Sequence, residues 1–397
     1  MRYLIIILAF VNCIYANAQN KRARDYRDYQ NDDLIRAKST LQQILKLYDA
    51  GHDNLLYETF PYKPGNRVTY LAGDDTVTGQ RVAYLWPTSG VFSAVNALLK
   101  STGDNQYLRL LEEKILPGLD QYYDSLRKPA CYQSYITLTG KSDRYYDDNV
   151  WLALDFCDLY MFTGNTGYLE KSIKIWQFVL SGWDDKLGGG IYWCEQKKNS
   201  KNTCSNAPSS VLALKLFEAT RDSSYFRWGV RIYDWTKANL QDPADHLYFD
   251  NMSLTGKTDI RKYTYNSGQM LQAAVMLYIL TENKIYLNEA HNIAGSAVDY
   301  FTEEFTTGSG GKIRLFKNTG TWFNSILFRG YEKLYQVDKN DQYIKIFRDN
   351  MNHLWDHVRN QDGLFSKDWK GQKEDDFKTL LDQSGLVEIW AGLAGID

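Results

Sequence analysis

Apolar residues recur along this chain at helical spacing, in segments of two kinds. Segments of the first kind are apolar along one stripe only, as expected for helices with one solvent-exposed face. They are Leu34–Tyr48, Ile285–Phe301, Tyr343–Val358, and similar patterns near 104–125, 167–181 and 223–239. Segments of the second kind are apolar on nearly every side, which predicts buried helices. They are Val91–Leu99, Val150–Phe162, Val211–Phe217, Met270–Leu280, Ile326–Tyr335 and Leu386–Leu393.

The two kinds of helix alternate with a regular period. The buried helices are predicted to begin near Leu85, Asp147, Asn206, Asn266, Thr321 and Phe377, in steps of 62, 59, 60, 55 and 56 residues. A period near 60 residues predicts a repeated unit of one exposed and one buried helix. Six such hairpins close naturally into an all-α (α/α)6 barrel, with an open solenoid as the alternative.

The links from exposed to buried helices contain short aromatic segments bounded by Gly and Asp, which predict β-hairpin insertions. These segments are Gly190–Trp193, Leu247–Asp250, Lys312–Leu315 and Gly363–Ser366. All such links emerge at one end of a barrel, so we expect their polar and aromatic residues to converge over its central cavity.

The N-terminus resembles an export signal, with an apolar run after Arg2 and the small-x-small sequence Ala16-Asn17-Ala18. We predict a signal peptide at 1–18, a mature tail at 19–31 and one domain at 32–397. The run is too short to span a bilayer, and the sequence around Cys13 is a poor lipid-attachment site. We therefore expect an exported monomer, periplasmic or extracellular. In that setting Cys194 and Cys204, which bracket a polar loop, are predicted to form a disulfide.

Charge and composition limit the classes of molecule that the chain is expected to bind. The net charge of −2 provides no basic surface for nucleic acid. Aromatic residues make up 15% of the chain, including 11 Trp and 30 Tyr. Aromatic rings stack on the apolar faces of sugars, although core packing must account for most of these residues. His353 and His357 have metal-pair spacing but no third ligand nearby, so we expect neither a metal nor a cofactor.

Two adjacent carboxylates, Asp147 and Asp148, stand where a buried helix begins. Carboxylates are costly to bury without partners. They fit either an N-terminal cap or a pair of catalytic acids standing about 5 Å apart, as in retaining glycosidases. The candidate substrate-binding residues, which lie at the other predicted helix starts and links, are Trp86, Tyr146, Asn149, Trp193, Asn206, Tyr265, Asn266, Gln269, Trp322 and Asp376. Asp74 and Asp75 are further acidic residues of the links.

Four sequence blocks together resemble glycoside hydrolase family 76, over about Trp86 to Trp390. They are Tyr145-Tyr146-Asp147-Asp148-Asn149, Gly188-Gly189-Gly190-Ile191-Tyr192-Trp193 with Lys198 and Asn202, Ser205-Asn206-Ala207, and Tyr263-Thr264-Tyr265-Asn266-Ser267-Gly268-Gln269. The resemblance implies an (α/α)6 barrel and retaining, endo-acting hydrolysis of α-1,6-mannan polysaccharide or oligosaccharide without a cofactor. It also implies Asp147 as nucleophile and Asp148 as general acid/base. The alternatives are another (α/α)6 sugar enzyme, such as an unsaturated glucuronyl hydrolase or a sugar epimerase, and a non-catalytic glycan-binding protein.

Overall fold

The computed structural model describes residues 31–66, 68, 81–308, 310–317 and 320–396. The predicted signal peptide, the tail up to residue 30, Cys13, Asp74 and Asp75 lie outside this described part. Within it, no helix combines the length and the apolar character needed to cross a bilayer.

In the described residues, long helices alternate between an outer and an inner position. The outer helices are α1 (Asp32–Leu47), α3 (Asn105–Leu110, continued by a π-helical turn at Leu111–Ile115 and by α4, Leu116–Asp120), α6 (Thr166–Leu180), α8 (Ser223–Leu240), α10 (Lys284–Phe301) and α12 (Gln342–His357). The inner helices are α2 (Leu85–Thr102), α5 (Tyr146–Thr163), α7 (Thr203–Thr220), α9 (Thr264–Thr281), α11 (Thr321–Asp338) and α13 (Leu380–Ala394). Every predicted helix is present in its predicted class.

The inner helices form a closed ring. Each of α2, α5, α7, α9, α11 and α13 packs on the next one along the chain, and α13 packs back on α2. This closure confirms the (α/α)6 barrel and excludes the open solenoid. Gly268 on α9 and Gly330 on α11 lie at a close crossing of the two helices, where a Cβ on Gly268 would stand 2.5 Å from the Leu327 backbone. Close packing therefore explains the glycine of the Ser267-Gly268 block.

Helix starts differ between the two rings. Five outer helices have an Asn or Asp cap whose side chain accepts a backbone N–H: Asn31, Asp104, Asn165, Asp222 and Asn283. No inner helix has a side-chain cap of this kind among the described residues. The amide-bearing ends of the inner helices, which carry partial positive charge, are thus directed at one end of the barrel without local side-chain caps.

Short antiparallel strands cover this end. They are β1 (Thr59–Phe60), β2 (Tyr123–Asp124), β3 (Cys131–Tyr132), β4 (Ser200–Asn202), β5 (Phe249–Ser253), β6 (Thr258–Lys262), β7 (Thr302–Thr306), β8 (Lys312–Phe316) and β9 (Lys378–Thr379). The pairs are β1–β9, β2–β3 and β7–β8, with β4–β5–β6 as one sheet. Of the predicted strands, 312–315 matches β8 and 247–250 overlaps the start of β5. The segments at 190–193 and 363–366 contribute only isolated bridges.

Candidate active site

A cavity of about 260 Å³ lies at this end of the barrel, and both Asp147 and Asp148 line it. The two carboxylates occupy the first turn of α5, but the cap position before them belongs to Tyr145. The interpretation of the pair as an N-terminal cap is therefore wrong, because neither aspartate occupies the cap position. Their place in the first turn lets the helix dipole stabilise negative charge.

Asp147 is held asymmetrically. The indole Nε1 of Trp193 donates a hydrogen bond to its Oδ2 at 2.9 Å. Its Oδ1 is shielded from solvent and accepts no hydrogen bond of ordinary geometry. One oxygen is thus fixed in place by the indole, and the other is buried without such a donor.

Burial dominates the electrostatics of Asp147. Removal from water raises its pKa from 3.8 to about 6, against the opposing effects of the neighbouring Cys204 thiol and the Trp193 indole. The thiol of Cys204 is itself buried, and desolvation together with the negative charge of Asp147 raises its pKa well above the ordinary range. Cys204 is therefore a neutral neighbour of the carboxylate near pH 7.

Four free cysteines, Cys131, Cys157, Cys194 and Cys204, are found in the described residues. The predicted disulfide between Cys194 and Cys204 is therefore wrong. Cys194 lies in the bridge between Tyr145 and the following link, with its Sγ 3.8 Å from Gln196 Oε1. Cys204 instead lies in the first turn of α7 and lines the cavity.

The link before α7 places Trp193 beside Asp147. Its turn contains Gly188, Gly189 and Gly190, all with positive φ, and a Cβ on Gly190 would stand 2.5 Å from the Trp235 ring. The backbone of Trp193 then accepts a hydrogen bond from Tyr146 N at 2.8 Å. The triple glycine is thus a packing requirement of the turn that positions the indole.

A buried ion pair fixes the same junction from the other side. Arg144, whose side chain is 1% exposed, donates to both carboxylate oxygens of Glu195, at 2.7 and 2.5 Å. Glu195 N also donates to Arg144 O at 3.0 Å. This clamp joins the segment before the Asp pair to the segment after Trp193.

Seven aromatic side chains also line the cavity. Trp322 contacts both Trp86 and Trp151 edge to face, each with ring centroids 5.2 Å apart. Tyr265 lines the cavity beside them and stacks on Phe323 at 4.1 Å. Trp86 and Trp193 are partly exposed, whereas Trp151, Tyr265 and Trp322 are buried. Of these five rings, only those of Trp86 and Trp193 are therefore partly accessible to a sugar.

The predicted amide ligands Asn149 and Asn206 do not line the cavity. Asn149 bonds the backbone N and O of Tyr132, both at 2.9 Å. Asn206 bonds the backbone of Ile191 in the same way, at 2.7 and 2.9 Å. Each is the fourth residue of an inner helix, and Gln383, the fourth residue of α13, grips Phe365 likewise. These amides attach the links to the barrel.

Four other predicted substrate residues also lie outside the cavity lining. Tyr146 is buried and stacks on Phe178 at 4.7 Å. Gln269 is buried and donates to Gln272 at 2.8 Å, deeper in the barrel. Asn266 is buried next to Asp250, and Asp376 is exposed on the last link. Trp86, Trp193, Tyr265 and Trp322 are the predicted binding residues that the structure does bring together with the Asp pair.

The cavity also contains polar residues that were not among the predicted site residues. Asp250 and Asn251 come from β5, Arg261 from β6, and Asn199, Ser200 and Asn202 from the neighbouring link. Tyr84, Ser134 and Tyr145 complete the lining. The β4–β5–β6 sheet spans two links, so its wall could not be foreseen from the repeat alone.

A second cavity of about 450 Å³ lies at the opposite end, between the C-terminal halves of the inner helices. Its charged groups largely neutralise one another: Lys215 with Asp158, Arg329 with Glu388, and Lys100 with Glu332. Asp155 accepts from Ser93 at 2.6 Å, and burial raises its pKa to about 7. This cavity has no paired acids beside open aromatic rings, so the first cavity is the candidate active site.

The fold and the first cavity together define an (α/α)6 barrel protein with an acidic, aromatic-lined cleft suited to sugars. More specifically, the chain belongs to glycosyl hydrolase family 76, whose model matches residues 36–394.

Solved structures of the same family resemble it over most of the chain. A family 76 glycoside hydrolase (mannosidase) from Bacteroides thetaiotaomicron has a TM-score of 0.82 at 30% identity, covering 91% of this chain and 98% of that one. A family 76 enzyme from a bovine strain of the same species has a TM-score of 0.81 at 32% identity, covering 91% and 77%.

Curated relatives match a shorter segment. The mannan endo-1,6-alpha-mannosidase DCW1 of Candida glabrata is 32% identical over 144 residues, which is 34% of this chain and 32% of that protein. Relatives in Schizosaccharomyces pombe align over more of the chain, which spans about half of their length.

Proposed function

We propose that this protein is an endo-acting glycoside hydrolase that cleaves the α-1,6-linked backbone of mannan with retention of anomeric configuration. The observation that carries the proposal is the Asp147–Asp148 pair in an aromatic-lined cavity of a family 76 barrel. An α-1,6-mannanase of Salegentibacter supplies a parallel, since a variant of it with two consecutive aspartates replaced is inactive and was solved with α-1,6-mannotriose. The N-terminal sequence further supports export to the periplasm or the medium.

In the proposed mechanism Asp147 is the nucleophile. Trp193 holds one oxygen of the carboxylate in place, and the carboxylate attacks the anomeric carbon to form a covalent glycosyl-enzyme as the bond to the leaving oxygen breaks. Asp148 protonates the departing glycosidic oxygen, then removes a proton from the water that releases the product. The Trp193 hydrogen bond stabilises the ionised form of Asp147 on which the attack depends.

The experiment is a time course on unbranched α-1,6-mannan, with products resolved by length and their anomers followed by NMR. We expect internal cleavage to a ladder of mannooligosaccharides, with the α-anomer appearing first. Asp147→Asn and Asp148→Asn should each remove most turnover. First appearance of the β-anomer would refute retention, and equal rates on α-1,6-glucan would refute the substrate assignment. Near-normal turnover in either variant would refute the catalytic pair, whereas wild-type protein that binds mannan without cleaving it would favour the glycan-binding alternative.

A further inference from the structure

A third carboxylate, Asp250 on β5, faces the cavity with few donors of its own. The residue is 6% exposed. Asn251 Nδ2 donates to its Oδ2 at 3.0 Å, while Arg261 Nη2 lies 3.8 Å from the same oxygen, beyond hydrogen-bond distance. Desolvation raises the pKa of Asp250 despite these neighbours and Asn266. The protein alone therefore does not compensate for burying this carboxylate.

A guanidinium stands next to Asp250 in the same wall. Arg261 is held mainly by Asp259, whose two oxygens lie 3.0 Å from its Nε. Its side chain is 59% exposed and still lines the cavity. The wall therefore presents a strong acceptor, Asp250, beside a strong donor, Arg261. The amide of Asn251 follows Asp250 directly in sequence.

Adjacent sugar hydroxyls match this arrangement, because each hydroxyl both donates and accepts. One hydroxyl can donate to the carboxylate while its neighbour accepts from the guanidinium. We propose that Asp250, with Asn251 and Arg261, binds two vicinal hydroxyls of one mannosyl residue and so contributes to the choice of sugar. The inference rests on the proposed function and adds a binding site to it. Asp250 acts through substrate contact, separately from the bond-breaking pair.

The test is a cycle of substitutions on protein and substrate. Asp250→Asn should lower kcat/KM on α-1,6-mannotriose by about 10- to 100-fold, the range for a hydrogen bond to a charged group. A series of mannotrioses, each lacking one ring hydroxyl, should contain one analogue on which the substitution has little further effect. The matched control is Asp245→Asn in the same link, since Asp245 pairs with Lys262 at 2.7 Å and does not line the cavity.

The outcomes are distinct. An unchanged kcat/KM in folded Asp250→Asn, or an equal loss on every analogue, overturns the inference while leaving the proposed function intact. Absence of wild-type turnover on mannan overturns the proposed function instead. In that case the hydroxyl site is tested by binding alone, with the affinities of the wild-type and Asp250→Asn chains for the same analogues measured by calorimetry. We expect the substitution to weaken binding of every analogue except the one that lacks the bound hydroxyl. Thermal melting of each variant checks that the fold is kept.

Discussion

Removing the charge of Asp147 should stabilise the protein while it removes activity. Burial raises the pKa of this carboxyl from 3.8 to about 6, so its ionised form is less favourable in the folded chain than in the unfolded one. Asn keeps the shape of the side chain and can still accept the Trp193 hydrogen bond, but it carries no charge. Asp147→Asn should therefore relieve a cost that the active protein bears at neutral pH.

The magnitude follows from linkage. The rise from 3.8 to about 6 corresponds to at most about 3 kcal/mol, and partial exposure to cavity water reduces it to roughly 1–3 kcal/mol. Well below pH 3.8 both states hold the proton and the difference vanishes, and at pH 4 it is still small. Between pH 4 and 6 the unfolded state loses its proton first, so wild-type stability falls relative to the variant, and the gap is complete above pH 6. With about 2 cal/mol/K per residue for unfolding, the variant should melt roughly 1–4 °C higher at pH 7.5.

Melting curves of both proteins at pH 4 and pH 7.5 measure this gap. Asp222→Asn is the matched control, because Asp222 is an exposed helix cap whose pKa is lowered by the backbone N–H of Ser224. Asn caps as well as Asp, so that variant should gain nothing at pH 7.5. An Asp147→Asn chain that melts no higher than wild type at pH 7.5, or whose gain is equally large at pH 4, would refute the reasoning.

Three further predictions concern the surroundings of the pair. Trp193→Phe removes the donor to Asp147, so the acidic limb of the kcat/KM profile should move to higher pH; an unmoved limb would show that the bond is unimportant. Arg144→Met leaves the Glu195 carboxylate without its buried partner and should cost about 3–5 kcal/mol in urea unfolding, whereas a loss below 1 kcal/mol would contradict the clamp. Asn206→Ala should lower unfolding stability by about 2 kcal/mol while mannotriose affinity measured by calorimetry stays within about twofold; the reverse pattern would restore its role as a ligand.

The fold could be predicted from sequence because the helical spacing of apolar residues coincides with a repeat of about 60 residues. Helical spacing gave each element, and the contrast between one-sided and all-round apolar segments separated the outer ring from the inner ring. The predicted starts of the inner helices lie within three residues of the observed ones, as at Phe377 against Leu380 and Asn206 against Thr203. The strands were harder, since segments of two to five residues contain too few positions for a pattern.

The site could be predicted only in part, because the type of a residue does not reveal which way its side chain points. An Asn near a helix start suits both a sugar hydroxyl and a neighbouring backbone, and at Asn149 and Asn206 the backbone is the partner. The disulfide prediction failed similarly, because a short sequence separation between Cys194 and Cys204 says nothing about where their side chains point. Asp250 and Arg261 were missed because they reach the cavity through sheet pairing between links.

Position along each inner helix decides which residues face the cavity. The second residues of α2, α5, α7, α9 and α11 all line it: Trp86, Asp147, Cys204, Tyr265 and Trp322. The fourth residues turn about 200° further around the helix, and at Asn149, Asn206, Ser267 and Gln383 they bond the link backbone. In α5, α7 and α9, therefore, the second residue lines the cavity and the fourth residue holds the link. Among the described inner helices only α5 has a carboxylate as its second residue, and the proposed catalytic pair therefore lies in the repeat that differs from the others at this position.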